Sequence, residues 1–322
     1  MTRIGVVGAG SFGTALAIAL AEAGRDVTLW ARDAEHVADM VANRCNTRRL
    51  PGPAFPASLT PTADLSDLSG SDAVLLSLPM QQLEPFLGRN RDVFDGVPLV
   101  ACCKGVSLQS GNGPTAIIDQ ACPNSTSAIL TGPSFAADIG RGLPTALTLA
   151  CADAEAGETL QSLLSTPVLR LYRSTDPIGA ELGGALKNVV AIAAGIVIGA
   201  GLGDSARAAL MTRGFAEMRR FAEHSGAAPD TLSGLCGLGD LVLTCTSEQS
   251  RNFRYGMALG QGDAFDPAVT VEGASTARAV AHLAAQRSIE MPIATMVAAV
   301  LDQNLSVADA VQALMNRPLK EE

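Results

Sequence analysis

Only three of the 23 basic residues are lysines, Lys104, Lys187 and Lys320, and arginine supplies all the others. The two side chains are not equivalent. Arginine stays charged in any protein environment, whereas lysine gives up its proton near neutral pH once its surroundings lower the pKa. Lys320 stands in a polar tail. Lys104 and Lys187 stand instead among small and apolar residues, in Ala101-Cys102-Cys103-Lys104-Gly105 and Gly183-Gly184-Ala185-Leu186-Lys187-Asn188. A charged amine within an apolar helix is costly unless it is paired. Lys187 is therefore either a structural lysine held by a carboxylate or a partly desolvated acid–base group.

Three further groupings carry chemistry. Gly237-Leu238-Gly239-Asp240-Leu241 presents a glycine-flanked acid. Ser250, Arg251 and Asn252 set a hydroxyl, a guanidinium and an amide before an expected helix over 253–259. That combination binds phosphate, although an ordinary cap with a surface arginine reads the same way. In Gly132-Pro133-Ser134-Phe135-Ala136, Ser134 either hydrogen-bonds a polar substrate or caps a helix after a tight turn. The seven cysteines form no CxxC pair, and the three histidines have no metal-ligand spacing. Free, buried thiols in a reducing compartment and no metal are expected.

The elements that must position these residues are legible in the same sequence. An apolar run over 4–7 ends in Gly8-Ala9-Gly10-Ser11-Phe12-Gly13, then come a helical pattern over 14–23 and a second strand over 26–30. Strand, GxGxxG, helix, strand is the dinucleotide-binding unit. Gly8 makes its turn, Gly10 lets a pyrophosphate approach the helix N-terminus, and Gly13 permits close packing. After the second strand stands Arg32, a cation suited to a ribose 2′-phosphate, with Arg49 as a helper and Asp33 as a cap for the next helix. This favours NADP over NAD. Further strands are expected over 73–78, 98–103, 128–131, 145–150 and 168–172, with helices over 82–87, 115–121 and 154–164 between them.

The result is an α/β fold with a Rossmann-type, doubly wound, mostly parallel sheet. Lys104 and Gly132 then lie at the carboxyl edge of the sheet, where such folds bind ligands. The proline-rich stretch 51–61 reads as a surface loop. From Asp176 onward apolar residues recur at helical spacing, so a dinucleotide-binding domain over 1–177 gives way to an all-helical substrate domain over 178–322.

Composition narrows the function classes. With 48% hydrophobic residues, 17% charged residues and a net charge of −9, the 322-residue chain has material for a large core. That acidic balance argues against general binding of nucleic acid or anionic membranes, both of which want a basic face. An anionic substrate must be held by a few local cations against the global field. The sequence runs from Met1-Thr2-Arg3 straight into its first strand, which leaves no room for a signal peptide. The apolar stretch 189–202 is shorter than the roughly 20 residues of a membrane span and reads as a buried helix. A cytoplasmic protein without stable membrane insertion is expected.

Taken in order, segments 8–17, 132–136, 183–188, 237–241, 249–252 and 271–273 resemble the bacterial NAD(P)-dependent glycerol-3-phosphate dehydrogenase family over nearly the whole chain. The resemblance implies that Lys187 is the general acid–base and that Lys104 touches both cofactor and substrate. It implies that Gly132, Ser134, Asp240, Ser250, Arg251 and Asn252 hold the substrate together with those lysines. It gives the cofactor Gly8, Gly10, Gly13, Ser11, Phe12, Arg32, Arg49, Ala136, Arg251 and Glu272. The chain departs from the family at Cys102-Cys103, where Ala-Thr is usual. The implied reaction is the reversible reduction of dihydroxyacetone phosphate to sn-glycerol 3-phosphate for phospholipid synthesis, run by a cytoplasmic homodimer. Two other readings remain. One is a related dehydrogenase for another phosphorylated or carboxylated hydroxy compound. The other is a non-catalytic NAD(P) sensor, which has no use for Lys187 with Asp240.

Overall fold

A computed structural model describes residues 2–315, so Lys320 lies outside the described residues. The chain divides between Glu181 and Leu182 into two units, each with its own apolar core.

The first unit opens with β1 (Arg3–Val7), α1 (Ser11–Glu22) and β2 (Asp26–Trp30). The two strands pair in parallel, with Val7 opposite Trp30. Between β1 and α1 the chain turns at Gly8, whose φ of +107° suits glycine, and a Cβ there would strike the Ser77 carbonyl. α2 (Ala34–Asn43) starts on Asp33, whose carboxylate accepts the N–H groups of Glu35 and His36, the expected cap.

The stretch read as a surface loop is not one. β3 (Cys45–Asn46) and β4 (Leu50–Ala54) form an antiparallel ribbon, and β5 (Leu59–Thr62) lies parallel beside β2. Prolines hid these strands. β5 is the outermost strand of the sheet and needs ladder bonds on one side only, so it tolerates Pro61.

The remaining elements alternate as expected: β6 (Ala73–Leu76), α3 (Met80–Arg89), α4 (Arg91–Phe94), β7 (Leu99–Ala101), α5 (Pro114–Ala121), β8 (Ser127–Thr131), α6 (Ala136–Gly140), β9 (Thr145–Ala150), α7 (Ala154–Leu164) and β10 (Leu169–Ser174). The sheet order is β10-β9-β8-β7-β6-β1-β2-β5, and every neighbouring pair is parallel except β8 with β9. β6 and β7 are wholly apolar and buried because a central parallel strand has no solvent face. The order reverses beside β1, which opens a crevice beyond the carboxyl ends of β1 and β6.

The second unit has helices and no strand among its described residues. It takes up most of α8 (Pro177–Gly199), then α9 (Gly203–His224), α10 (Asp240–Thr246), α11 (Arg251–Gln261), α12 (Glu272–Gln286), α13 (Pro292–Leu301) and α14 (Val307–Met315). The apolar stretch expected to be short belongs to α8, which has 23 residues. By length and composition α8 is long enough to cross a membrane, so the argument from length fails. Its apolar window is nevertheless 89% buried inside the protein, as in a core helix packed on all sides.

Gly195 of α8 and Gly256 of α11 let two backbones touch: a Cβ on Gly195 would strike the Phe253 carbonyl, and one on Gly256 the Ile192 carbonyl. Gly195→Ala overpacks this crossing at a cost of about 1–3 kcal/mol. At about 2–4 °C per kcal/mol, a thermal melt should show a drop of several degrees; an unchanged Tm contradicts the close contact.

Candidate active site

In the second unit, Gly183 lets α8 press on the backbone of Cys236, where an added Cβ would come within 2.6 Å of the carbonyl oxygen. One turn further along α8, Lys187 meets the first turn of α10. Its Nζ donates to Asp240 Oδ1 at 2.8 Å and to Thr244 Oγ1 at 2.6 Å, and Thr244 Oγ1 donates to the same carboxylate oxygen at 3.2 Å. Lys187 is 6% exposed and Asp240 1%. A buried ion pair holds together only when extra hydrogen bonds offset the lost hydration, and Thr244 supplies one. The sequence left open whether Lys187 is paired or partly desolvated; it is both. Thr244 escaped the sequence reading, although it stands four residues after Asp240 on the same helical face. Burial pushes the neighbouring Cys245 thiol up to about 12 even against the pull of Lys187, so it stays protonated.

Ser250, Arg251 and Asn252 do stand at a helix start. Ser250 Oγ accepts the Phe253 N–H at 3.2 Å as the cap of α11. Arg251 is exposed at the first helical position. Asn252 is buried and turned inward: Nδ2 donates to Asn188 Oδ1 at 2.9 Å, and Oδ1 accepts the Gly273 N–H at 3.0 Å. It ties α8, α11 and the start of α12 together. Asn188, next to Lys187, is the residue missed here. Glu272 is the half-buried first residue of α12.

In the first unit, Gly8, Lys104 and Gly132 follow the carboxyl ends of parallel strands β1, β7 and β8. Gly10 caps α1 without any side-chain bond to its first-turn N–H groups, and a Cβ on Gly10 would meet open space. This opening, with its unclaimed donors, fits a pyrophosphate. Ser11 is exposed and donates to the Arg49 carbonyl at 2.6 Å; Phe12 is half-buried against the core, and Gly13 lies in the first turn.

Arg32 and Arg49 are both exposed. Between them stands a cation the sequence reading missed: Arg48 Nη1 is 3.2 Å from Asp33 Oδ2. The Asp33 carboxyl is held below its ordinary range chiefly by the His36 backbone N–H, with Glu35 and Arg48 helping. Lys104 is half-buried. Beside it, burial pushes the Cys102 thiol up to about 12 against the pull of Lys104, so Cys102 carries no reactive thiolate at neutral pH. Ser134 does not cap α6, whose capping position is Phe135; its hydroxyl lies 3.4 Å from the Gly132 carbonyl, and half-buried Ala136 opens the helix. Thr131, just before Gly132, is buried, and its hydroxyl finds no partner among the described residues. All seven cysteines are free thiols.

A sheet with a glycine loop at its switch point, followed by helices that bury a lysine–aspartate pair, defines the class of nicotinamide-dependent dehydrogenases. Comparison with known proteins narrows the class. The family model described as NAD-dependent glycerol-3-phosphate dehydrogenase N-terminus matches residues 3–157, and its C-terminus counterpart matches 176–312. The NAD(P)+ glycerol-3-phosphate dehydrogenase of Cereibacter sphaeroides is 60% identical over 322 residues, covering 99% of this chain and 100% of the relative. That of Ruegeria sp. (strain TM1040) is 58% identical over 319 residues, covering 99% of each chain. The crystal structure of glycerol-3-phosphate dehydrogenase from Coxiella burnetii superposes with a TM-score of 0.92 at 38% identity, covering 98% of this chain and 99% of that one. The chain belongs to the NAD-dependent glycerol-3-phosphate dehydrogenase family and is an NAD(P)-dependent oxidoreductase.

The buried acid Glu181 lies outside all these assignments. Glu181 Oε1 accepts the Thr115 N–H at 2.6 Å and the Thr115 hydroxyl at 2.7 Å, at the start of α5. Desolvation pushes this carboxyl from its ordinary 4.5 up to about 7. Between those two values the folded state holds more protons than the unfolded chain, so the stability contributed is full below pH 4.5 and lost as pH rises through 7. Glu181→Gln keeps the acceptor and removes the charge. Its melting temperature should exceed the parent's at pH 8, with the difference shrinking toward pH 4; a difference independent of pH contradicts the assignment.

Proposed function

We propose that this chain catalyses the reversible NAD(P)H-dependent reduction of dihydroxyacetone phosphate to sn-glycerol 3-phosphate, a precursor of phospholipids. Family membership supports the reaction, and the observation that carries the chemistry is the buried Lys187–Asp240–Thr244 cluster. The bound nicotinamide coenzyme supplies the hydride that reaches the C2 carbonyl. As negative charge grows on the C2 oxygen, the Lys187 ammonium stabilises it and gives up a proton from Nζ. In the reverse direction the Lys187 amine takes the proton of the C2 hydroxyl. Asp240 and Thr244 orient Nζ, and the two contacts offset the cost of burying its charge.

The substrate phosphate is assigned to the start of α11, where Arg251 offers an exposed guanidinium and Ser250 a hydroxyl that can still donate while it caps the helix. Asn252 serves chiefly to fix that helix start. Lys104, Gly132 and Ser134 are assigned to the substrate from the first unit. Binding energy from the phosphate is then available to position the reacting carbon. The coenzyme is assigned to Gly8, Gly10, Ser11, Phe12 and Gly13, with Arg32 and Arg49 on the 2′-phosphate and Lys104, Ala136, Arg251 and Glu272 lining the rest. We infer a preference for NADPH, with residues 1–177 as the dinucleotide-binding domain and 178–322 as the substrate domain. A cytoplasmic homodimer is the proposed working form.

Loss of NADPH absorbance with dihydroxyacetone phosphate, unphosphorylated dihydroxyacetone and a panel of 2-keto acids tests this reading. Turnover should require the phosphate; faster turnover of a carboxylate, or coenzyme binding without turnover of any member, overturns it. Arg32→Ala should lower kcat/KM for NADPH about 10-fold or more, the worth of a charged hydrogen bond, and leave NADH nearly unchanged. An equal loss with both coenzymes contradicts the 2′-phosphate assignment.

A further inference from the structure

Asn46, at the end of β3, has 0% exposure and uses all four hydrogen-bonding positions of its amide. Nδ2 donates to the Ala9 carbonyl at 3.0 Å and to Thr14 Oγ1 at 2.8 Å. Oδ1 accepts the Arg49 N–H at 3.1 Å and lies 2.8 Å from His36 Nε2. A backbone carbonyl only accepts and a backbone N–H only donates, so these two contacts leave the amide one orientation. Nε2 of His36 must then carry its proton and donate. Of these residues only Arg49 has another role in the proposed reaction, its side chain being assigned to the coenzyme 2′-phosphate.

The four contacts converge on the coenzyme end of the first unit. Ala9 lies between Gly8 and Gly10, and Thr14 sits in the first turn of α1 with its own N–H on the Gly10 carbonyl at 3.0 Å. On the other side, Arg49 closes the Arg48–Arg49 turn, and its carbonyl accepts the Ser11 hydroxyl at 2.6 Å. Glycine loop and arginine turn are thus joined at two points, one of them buried. Anchoring the β3–β4 ribbon needs no amide, because Leu50 already buries its side chain in the core. The amide does what an apolar side chain cannot: it sets the loop and the turn in one register through directional bonds.

We propose that Asn46, locked by His36, is a positioning residue for the coenzyme, fixing the glycine loop against the arginine turn so that both meet the coenzyme phosphates in one geometry. Asn46 itself touches no ligand. The inference rests on the dinucleotide reading given above, but its test needs no turnover. Trp30, the chain's single tryptophan, ends β2, and energy transfer from it to bound NADPH or NADH reports binding directly.

Asn46→Asp keeps the shape but replaces the donor facing Ala9 with an acceptor. The Kd and KM for both coenzymes should rise about tenfold, the scale of one orphaned buried partner. In the same variant kcat at saturating coenzyme and KM for dihydroxyacetone phosphate should stay within about twofold. A residue that only stabilises the fold would lower the melting temperature and the active fraction, hence kcat, and leave coenzyme KM alone; that result overturns the proposal. If Asn46→Asp does not fold, His36→Leu leaves Asn46 in place and should raise the same Kd, and an unchanged Kd there overturns it equally. A parent that binds NADPH but turns over no substrate defeats the proposed reaction and leaves this test intact.

Discussion

The organisation of the second unit depends on one ion pair. Lys187 and Asp240 lie 2.8 Å apart and almost wholly out of water, a place where charge is expensive unless every partner is correctly placed. The surrounding features follow from that demand. Gly183 removes the Cβ that would hold α8 away from Cys236. A π-helical turn over Leu235–Gly239 runs straight into α10 and sets Asp240 on the face toward Lys187. Thr244 completes the contact from the next turn. The apolar length of α8 seals the lysine from water, which strengthens any field it exerts on a developing oxyanion.

A second constraint is global. A chain with net charge −9 repels a phosphorylated substrate and a dinucleotide at long range, so affinity must come from a few exposed cations at short range. Arg32, Arg48 and Arg49 are exposed in the first unit, and the one acid shown against them, Asp33, is engaged by helix N–H groups and by Arg48. In the second unit Arg251 stands exposed where α11 begins. The acidic surface therefore leaves discrimination to a few named side chains.

Much of this was legible in the sequence. The glycine loop, the alternating strands and the helical spacing after Asp176 carry the architecture, because each rests on local periodicity and turn chemistry. The rarity of lysine pointed to Lys187; that Asp240 is its partner comes from the structure. What escaped depends on contacts distant in sequence. β5 was hidden because proline is tolerated only on an edge strand, and edge position is a property of the sheet. Nothing local marks Asn46, because three of its four partners come from elsewhere in the unit. Asn252 matched a phosphate-binding pattern, and what the pattern did not show is that its amide also ties Asn188 to Gly273. The α8 segment was judged by its most apolar stretch, which is only part of a longer helix.

The central claim is that Lys187 moves the proton at C2. It is tested most directly by kcat for dihydroxyacetone phosphate reduction in Lys187→Ala at saturating NADPH, with coenzyme binding followed through Trp30 in the same samples. The account predicts a loss of about 10²–10⁴-fold, the range of general acid catalysis, with coenzyme affinity retained. A variant that binds NADPH and turns over at nearly the parent rate contradicts it.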